Sequence, residues 1–181
     1  MLKPVRWMIW PVACLMALTV MGASRAGSVE VVQSAASDFD AEVLFRAPKM
    51  LLPRGPQSWK RNDKLVLTLW VTRDKRTHAV RYEAVLQAMY EDQQWRRYDT
   101  VSLTTGEQVV PQRLLQEVRG CDRYNFCQYT EAYRMTMNDA QVRAAMTSGL
   151  RLRWNAQAAD AFEAELPAEY FTALAEAVKA R

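Results

Sequence analysis

Residues Cys127–Met137 have the sequence CQYTEAYRMTM, in which the larger side chains occupy every second position. Alternation with a period of two, combined with aromatic and β-branched residues, predicts a β-strand with one face turned to a core. Tyr129, Tyr133 and Met135 lie on the face that we take as inward, and Glu131 lies between them. The segment therefore predicts a central strand of a mainly β domain.

Further strands follow the same period-two pattern on both sides of this segment. They are predicted at about residues 42–46, 64–72, 80–91, 95–103, 109–118, 150–154 and 162–166. The alanine and glutamine content of residues 80–91 would also permit a helix. A strand there lets residues 91–94 form a hairpin turn into the strand at 95–103, so we favour the strand. Pro111 predicts an edge strand or a break.

Two helices are predicted in the C-terminal third of the chain. Asn138 is a suitable N-cap and Gly149 a suitable stop for a short helix at about residues 139–148. Pro167 opens a C-terminal helix at about residues 167–180. Its apolar stripe comprises Tyr170, Phe171, Leu174 and Val178. Together the elements predict a mainly β fold with two helices, arranged as an antiparallel β-sandwich or a partly open barrel.

The first 26 residues have the order of a secretory signal peptide. Basic residues come first, an uncharged run follows at Trp7–Ser24, and small residues precede Ala26. Cleavage near Ala26 predicts a periplasmic or secreted protein, whereas an uncleaved N-terminal membrane anchor is the alternative. The predicted organisation is a signal peptide at 1–26, a leader with the first strand and a Pro-rich basic loop at 27–63, and a single β-rich domain at 64–181.

Removal of the signal changes both the charge and the cysteine count. The chain has 24 basic and 20 acidic residues, and loss of the three basic residues of the signal leaves 21, so no nucleic-acid partner is expected. Cys121 and Cys127 remain as an even pair, which predicts one disulfide in an exported chain. A redox-active pair is the alternative, but such pairs are usually Cys-x-x-Cys at a helix start.

The largest charge asymmetry lies at residues 46–81, which contain ten basic and two acidic residues. Such a segment fits an envelope protein or an anionic surface, either lipid headgroups or a glycan. The alternative is that these side chains solvate loops and pair with the acidic ends of the chain. The candidate binding residues are Trp59, Lys60, Arg61, Arg73, Lys75 and Arg76.

Few residues are suited to catalysis or metal binding. Glu131 is the weak catalytic candidate, because a carboxyl group among aromatic side chains can have a raised pKa and act as a general acid. Pairing with a buried arginine is the alternative for Glu131. His78 is the only histidine, no Gly-x-Ser-x-Gly motif is present, and a zinc site would need more ligands. No metal or cofactor is expected.

Several short motifs within about residues 95–174 resemble a pattern in small exported bacterial proteins of unknown function. The motifs are Thr104-Thr105-Gly106-Glu107, Val118-Arg119-Gly120-Cys121, Cys127-Gln-Tyr-Thr-Glu131, Gly149-Leu-Arg-Leu and Leu166-Pro167. The resemblance implies a secreted β-rich domain with a Cys-x5-Cys hairpin, and it implies no known reaction.

Three functions follow as hypotheses. The leading hypothesis is an exported, non-enzymatic binding or accessory module that binds a partner in the cell envelope through the basic segment at residues 46–81. A small periplasmic enzyme using Glu131 would have a closed pocket around that residue. A module for peptidoglycan or acidic glycan, using Trp59, Trp95 and the basic residues, would have aromatic side chains aligned on an open groove. A protein-binding module would have a basic, flat or edge-strand surface with no deep pocket. The oligomeric state is not predicted.

Overall fold

The computed structural model describes residues 31–33, 40–52 and 63–180, which form two antiparallel sheets and two helices. The strands are β1 Val32–Gln33, β2 Glu42–Arg46, β3 Met50–Leu51, β4 Lys64–Asp74, β5 Val80–Asp92, β6 Tyr98–Leu103, β7 Gln108–Val109, β8 Gln112–Cys121, β9 Cys127–Met137, β10 Leu150–Ala156 and β11 Phe162–Leu166. The helices are α1 Asp139–Ser148 and α2 Ala168–Lys179. The predicted mainly β fold with two helices is confirmed.

The large sheet has the strand order β1-β2-β4-β5-β9-β8, with β3 paired to β4. Its three longest strands are β4, β5 and β9, which lie side by side. Along each strand the side chains that face the core occupy every second position, as the sequence predicts. On β9 every second side chain from Cys127 to Met137 is buried, and Glu131 is one of them. These side chains and the corresponding ones of β4 and β5 form one wall of the core.

The small sheet has the order β11-β10-β6-β7 and supplies the other wall. Leu152, Trp154 and Leu166 point inward from β10 and β11 and are almost completely buried. The core combines these residues with those of the large sheet, and the two sheets do not close into a barrel. The fold is therefore the sandwich-like alternative of the two predicted arrangements.

The predicted hairpin at residues 91–94 is wrong. Strand β5 ends at Asp92 in the large sheet, and the next strand, Tyr98–Leu103, belongs to the small sheet. Residues 95–97 lie in a turn between the sheets, where Arg97 has a left-handed backbone with φ 54°. The period-two pattern sets which side chains share a face, but it does not specify which strands are neighbours.

The side chains of β6 do not follow strict alternation. Strict alternation predicts that Tyr98 lies opposite Val101 and Leu103, yet all three side chains are buried. The pairing of β6 with β10 shifts at Asn155/Ala156, so that Tyr98 faces Ala156 and Thr100 faces Asn155. The extra residue in β6 is a β-bulge, which reverses the orientation of the side chains that follow it.

The two helices follow the sequence closely. Asn138 and Gln141 form a reciprocal capping box at the start of α1, and Gly149 ends the helix with φ 75°. Phe171, Leu174 and Val178 form the buried stripe of α2, which packs on α1 and on the inner face of β2 and β4. Among the described residues, no helix has the length and apolarity needed to cross a membrane. The predicted signal segment at 1–26 lies outside the described residues.

Candidate functional site

The Glu131 carboxylate is the centre of a buried polar cluster at one end of the sandwich. Its side chain is 0 % exposed. One oxygen, Oε1, accepts a hydrogen bond from the Tyr133 hydroxyl at 2.7 Å. The other, Oε2, accepts from the Tyr90 hydroxyl at 2.6 Å and from the Arg97 backbone N–H at 3.2 Å. Three internal donors therefore satisfy the carboxylate without any solvent contact.

The turn between the sheets supplies the backbone part of this cluster. The left-handed backbone of Arg97 lets successive N–H groups point into the core, and the Arg96 N–H donates to the Tyr90 hydroxyl at 2.9 Å. On its other side the turn is bonded to the small sheet, because the Gln157 N–H donates to the carbonyls of Arg96 and Arg97. The turn thus connects the two sheets through polar groups.

The Arg96 side chain closes the cluster toward the surface. Its guanidinium lies 4.2 Å from the centre of the Tyr90 ring and donates to Asp63 at 2.7 Å. Both side chains of this ion pair are nearly buried, with exposed fractions of 12 % and 6 %. Trp95 packs edge-on against Tyr129 with ring centres 4.4 Å apart. The predicted glycan-contacting Trp95 is therefore part of an aromatic cluster.

The surroundings of Glu131 raise the pKa of the neighbouring tyrosines. Burial is the main cause for both Tyr90 and Tyr133, and the hydrogen bond to Glu131 raises each pKa further because it stabilises the neutral hydroxyl. Burial also raises the pKa of Tyr98. These phenols therefore remain protonated in the folded state above the pH at which an exposed tyrosine ionises.

This difference predicts a loss of stability at alkaline pH. The tyrosine pKa values are higher in the folded chain than in the unfolded chain, where they lie near 10, so the contribution is intact below about pH 10 and is lost as the pH rises further. We expect the urea midpoint to fall between pH 9 and pH 11, and to fall less in Tyr133→Phe. If the urea midpoint fell equally with pH in the wild type and in Tyr133→Phe, the loss of stability could not be assigned to the Tyr133 phenol.

The chemistry available to Glu131 follows from this enclosure. A general acid must reach a substrate proton, directly or through one water. Both oxygens of Glu131 are instead engaged by internal donors, and no surface of the side chain is exposed. The predicted inward position of Glu131 is confirmed, and its hydrogen bonds come from tyrosines and backbone where the sequence suggested an arginine.

The basic segment is spread over distant parts of the large sheet. Trp59, Lys60 and Arg61 lie outside the described residues. Arg73 points inward and donates to the Val178 carbonyl near the C-terminal end of α2 at 3.0 Å, which favours a cation there. Lys75 and Arg76 lie in the β4–β5 turn. Of the predicted binding residues, Arg73 therefore points into the fold, whereas Lys75 and Arg76 lie in the turn.

Internal acceptors engage other charges near this turn. Arg81 pairs with Glu42 at 3.4 Å and with the buried Glu83 at 2.9 Å. The Asp74 carboxylate accepts backbone N–H bonds from Thr77 and Arg76, and these bonds hold the pKa of Asp74 below its usual range. Part of the basic segment therefore serves the fold, as the alternative interpretation proposed.

The predicted disulfide joins Cys121 to Cys127, with an S–S distance of 1.96 Å. It closes a hairpin that is further fixed by Asp122, whose Oδ1 accepts the N–H groups of Tyr124 and Phe126 at 2.8 and 2.9 Å. The Tyr124 side chain is 60 % exposed at the tip. The Arg123 guanidinium lies over its ring, 4.7 Å from the centre. We call residues 121–127 the disulfide hairpin.

Strand β8 forms one edge of the large sheet, beside the disulfide hairpin. Of the strands in the described part of the chain it pairs only with β9, and its register shifts at Arg113/Leu115 and at Arg119/Cys121. Most of its side chains are exposed, including Leu114 at 40 % and Val118 at 53 %. Exposed edges of this kind are templates for pairing with another strand. Pro111 predicted an edge strand or a break here, and both are found, since β7 ends at Val109, β8 begins at Gln112, and β8 lies at the edge of the large sheet.

A shallow groove with a volume of about 270 Å³ lies on the outer face of the small sheet. Ser102 and Thr104 line one side, Arg151 and Arg153 the middle, and Glu163 the other side. Alternation in Leu150–Trp154 places both arginines on the outer face, which the sequence could have indicated. Their neighbours come from two other strands and could not be assigned without the strand order.

No family model matches the chain, and neither the curated proteins nor the solved structures include a match to it. Within residues 31–33, 40–52 and 63–180, no group of three or more histidine, cysteine, aspartate or glutamate side chains could hold a metal ion.

Proposed function

We propose that this protein is an exported, non-enzymatic module that binds an extended segment of a cell-envelope protein along the β8 edge. The observation that carries the proposal is a strand edge that no described strand covers, with exposed apolar side chains along it at Leu114 and Val118 and at the adjoining disulfide hairpin at Tyr124. Strand addition of this kind gains affinity from main-chain hydrogen bonds and specificity from alternate side chains.

The charges of β8 favour a different protein over a second copy as the occupant. Between its two register shifts β8 has the uninterrupted stretch 115–119, with Glu117 at its centre. Antiparallel pairing of this stretch with its own copy would place Glu117 opposite Glu117, and like charges at opposing positions destabilise a sheet. Arg113 and Arg119 flank this glutamate, so a partner strand with acidic residues toward its ends complements β8.

The disulfide hairpin supports the proposal by presenting a rigid anchor at the end of β8. Tyrosine and arginine are enriched among residues that dominate protein interfaces. The disulfide and the two hydrogen bonds to Asp122 fix the backbone that carries Arg123 and Tyr124. Because little conformational entropy remains to be lost there, binding costs less than it would at a flexible loop.

The proposed location is the periplasm or the exterior after cleavage near Ala26, where oxidising conditions maintain a disulfide. In this proposal Lys75 and Arg76 of the β4–β5 turn provide a second contact to an anionic surface, either lipid headgroups or a glycan.

Site-specific photocrosslinking in the host tests the β8 surface. We expect a crosslinker at Val118 or Tyr124 to join the same extended segment of one envelope protein, and the mass of the recovered module to match residues 27–181. A crosslinker at Thr172, on the exposed face of α2, is the matched control and should give no such product.

A substitution on the β8 edge tests whether that edge is needed for the crosslink. Val118→Arg adds a large charge at an exposed position, so the fold should be retained while the crosslink from Tyr124 is lost. No product from either Val118 or Tyr124, or the same product from Thr172, would overturn the proposed surface.

A further inference from the structure

The outer face of the small sheet carries a repeated arrangement of polar side chains. Across the sheet, Arg153 is the register partner of Ser102 on β6 and of Glu163 on β11. Two residues along β10, Arg151 is the register partner of Glu165, and Thr104 lies two residues beyond Ser102 on the same side of the groove. The two rows are about 7 Å apart, from the rise of a β-strand. Each row therefore offers a hydroxyl, a guanidinium and a carboxylate.

The ion pair on this face joins residues of different rows, and it leaves the Arg153 guanidinium available. Arg151 pairs with Glu163 at 2.9 Å, although Glu163 is the direct register partner of Arg153. The Arg153 guanidinium has no hydrogen bond or ion pair to any described residue. An arginine fork without a partner, in a groove with hydroxyl groups at its side, is a site for the bidentate binding of a carboxylate.

The side chains around Arg153 define the remainder of the ligand. Ser102 Oγ already accepts from the Asn155 amide at 3.0 Å and can still donate its own proton. Glu163 can accept from a ligand hydroxyl, since it is 56 % exposed and its ion pair with Arg151 is weak in solvent. Among the residues that the structure describes, no aromatic side chain lines the groove, so these residues provide no stacking surface of the kind that favours a neutral sugar ring.

We propose that this groove binds a carboxylated sugar, with its carboxylate on Arg153 and its ring hydroxyls on Ser102, Thr104 and Glu163. The site differs from the aromatic glycan site considered for Trp59 and Trp95, and it does not depend on the β8 surface. The groove is shallow, so a single sugar binds weakly, with a Kd on the order of 1 mM. A polymer bearing such sugars would gain affinity by contacting several copies of the protein.

Titration of the ¹⁵N-labelled protein with three small molecules tests the site. D-glucuronate carries both the carboxylate and the hydroxyls, methyl β-D-glucoside carries only the neutral ring, and acetate carries only the charge. We expect saturable amide shifts at Ser102, Arg153 and Glu163 with glucuronate, and at least tenfold weaker responses with the other two. Arg153→Gln should weaken glucuronate binding roughly tenfold, as expected for loss of one charged hydrogen-bonding group.

Arg143→Gln, at an exposed position on α1, is the matched control and should leave the affinity unchanged. Unchanged melting temperatures of the two variants would show that both are folded. Equal responses to acetate and glucuronate would reduce the site to a general anion contact and overturn the proposal. Absence of shifts in the groove at 20-fold the expected Kd, or unaltered binding in Arg153→Gln, would overturn it as well.

Discussion

Replacing Glu131 by alanine is expected to lower the free energy of unfolding by about 4 kcal/mol, because three buried donors lose their shared acceptor. The hydroxyls of Tyr90 and Tyr133 and the Arg97 N–H all point at this carboxylate. Each donor left unsatisfied costs about 1–3 kcal/mol, and the space left by the side chain adds to the loss. Urea denaturation followed by circular dichroism measures the change.

Glu165→Ala provides the control for this measurement. Glu165 lies on β11 with an exposed side chain, so its replacement should change the unfolding free energy by less than about 0.5 kcal/mol. A similar small loss for Glu131→Ala would contradict the hydrogen-bonded cluster described here.

Glu131→Gln separates the structural role from a catalytic one. The amide keeps one acceptor but presents an NH₂ group to a tyrosine hydroxyl or to the Arg97 N–H, so the loss of stability should be intermediate. If a host phenotype disappeared in this variant while the unfolding free energy stayed at the wild-type value, the enzymatic hypothesis would replace the binding hypothesis.

Replacing Gly149 by alanine is the second change with a large expected effect. This glycine ends α1 with φ 75° and ψ −179°, a backbone conformation that residues with a side chain almost never adopt. A Cβ atom there would lie 2.8 Å from the Leu166 carbonyl oxygen. Since the obstacle is backbone at the junction of β11 and α2, relief would require the two helices to move apart. We expect a loss of about 3–4 kcal/mol in urea denaturation.

Gly120→Ala is the matched control, because Gly120 also has a positive φ, 52°, but its Cβ would meet no atom within 4 Å. Only the backbone strain applies there, so the loss should be about 1–2 kcal/mol. Equal losses at Gly149 and Gly120 would show that the contact with the Leu166 carbonyl is relieved without cost.

The sequence predicted most element boundaries because burial of one sheet face imposes a period of two, as at Leu65–Val71 of β4 and at Cys127–Met137 of β9. It placed Glu131 in the interior for the same reason. It also placed Tyr133 beside Glu131 on one face of β9, but it could not supply the Tyr90 hydroxyl or the Arg97 N–H, since these depend on how β5, β9 and the turn meet in space. The wrong hairpin at residues 91–94 has the same origin.

The sequence was limited in the same way in predicting the groove on the small sheet. Arg151 and Arg153 could be assigned to the outer face from alternation alone, but Ser102 and Glu163 come from strands that are separated in sequence. The β-bulge in β6 was also hidden, because a single extra residue produces no compositional signal. Sequence patterns therefore identified the faces of the strands, whereas the sites depend on contacts between them.

The turn at residues 93–97 has a consequence for how the molecule folds. It is bonded to Glu131 and Tyr90 of the large sheet and to Gln157 at the end of β10. These partners are far apart along the chain, so the turn reaches its final geometry only after both sheets have assembled. Formation of this long-range junction should therefore come late and slowly, as in other folds of high contact order. Because the turn is bonded to both sheets, we expect the two sheets to unfold as a single cooperative unit.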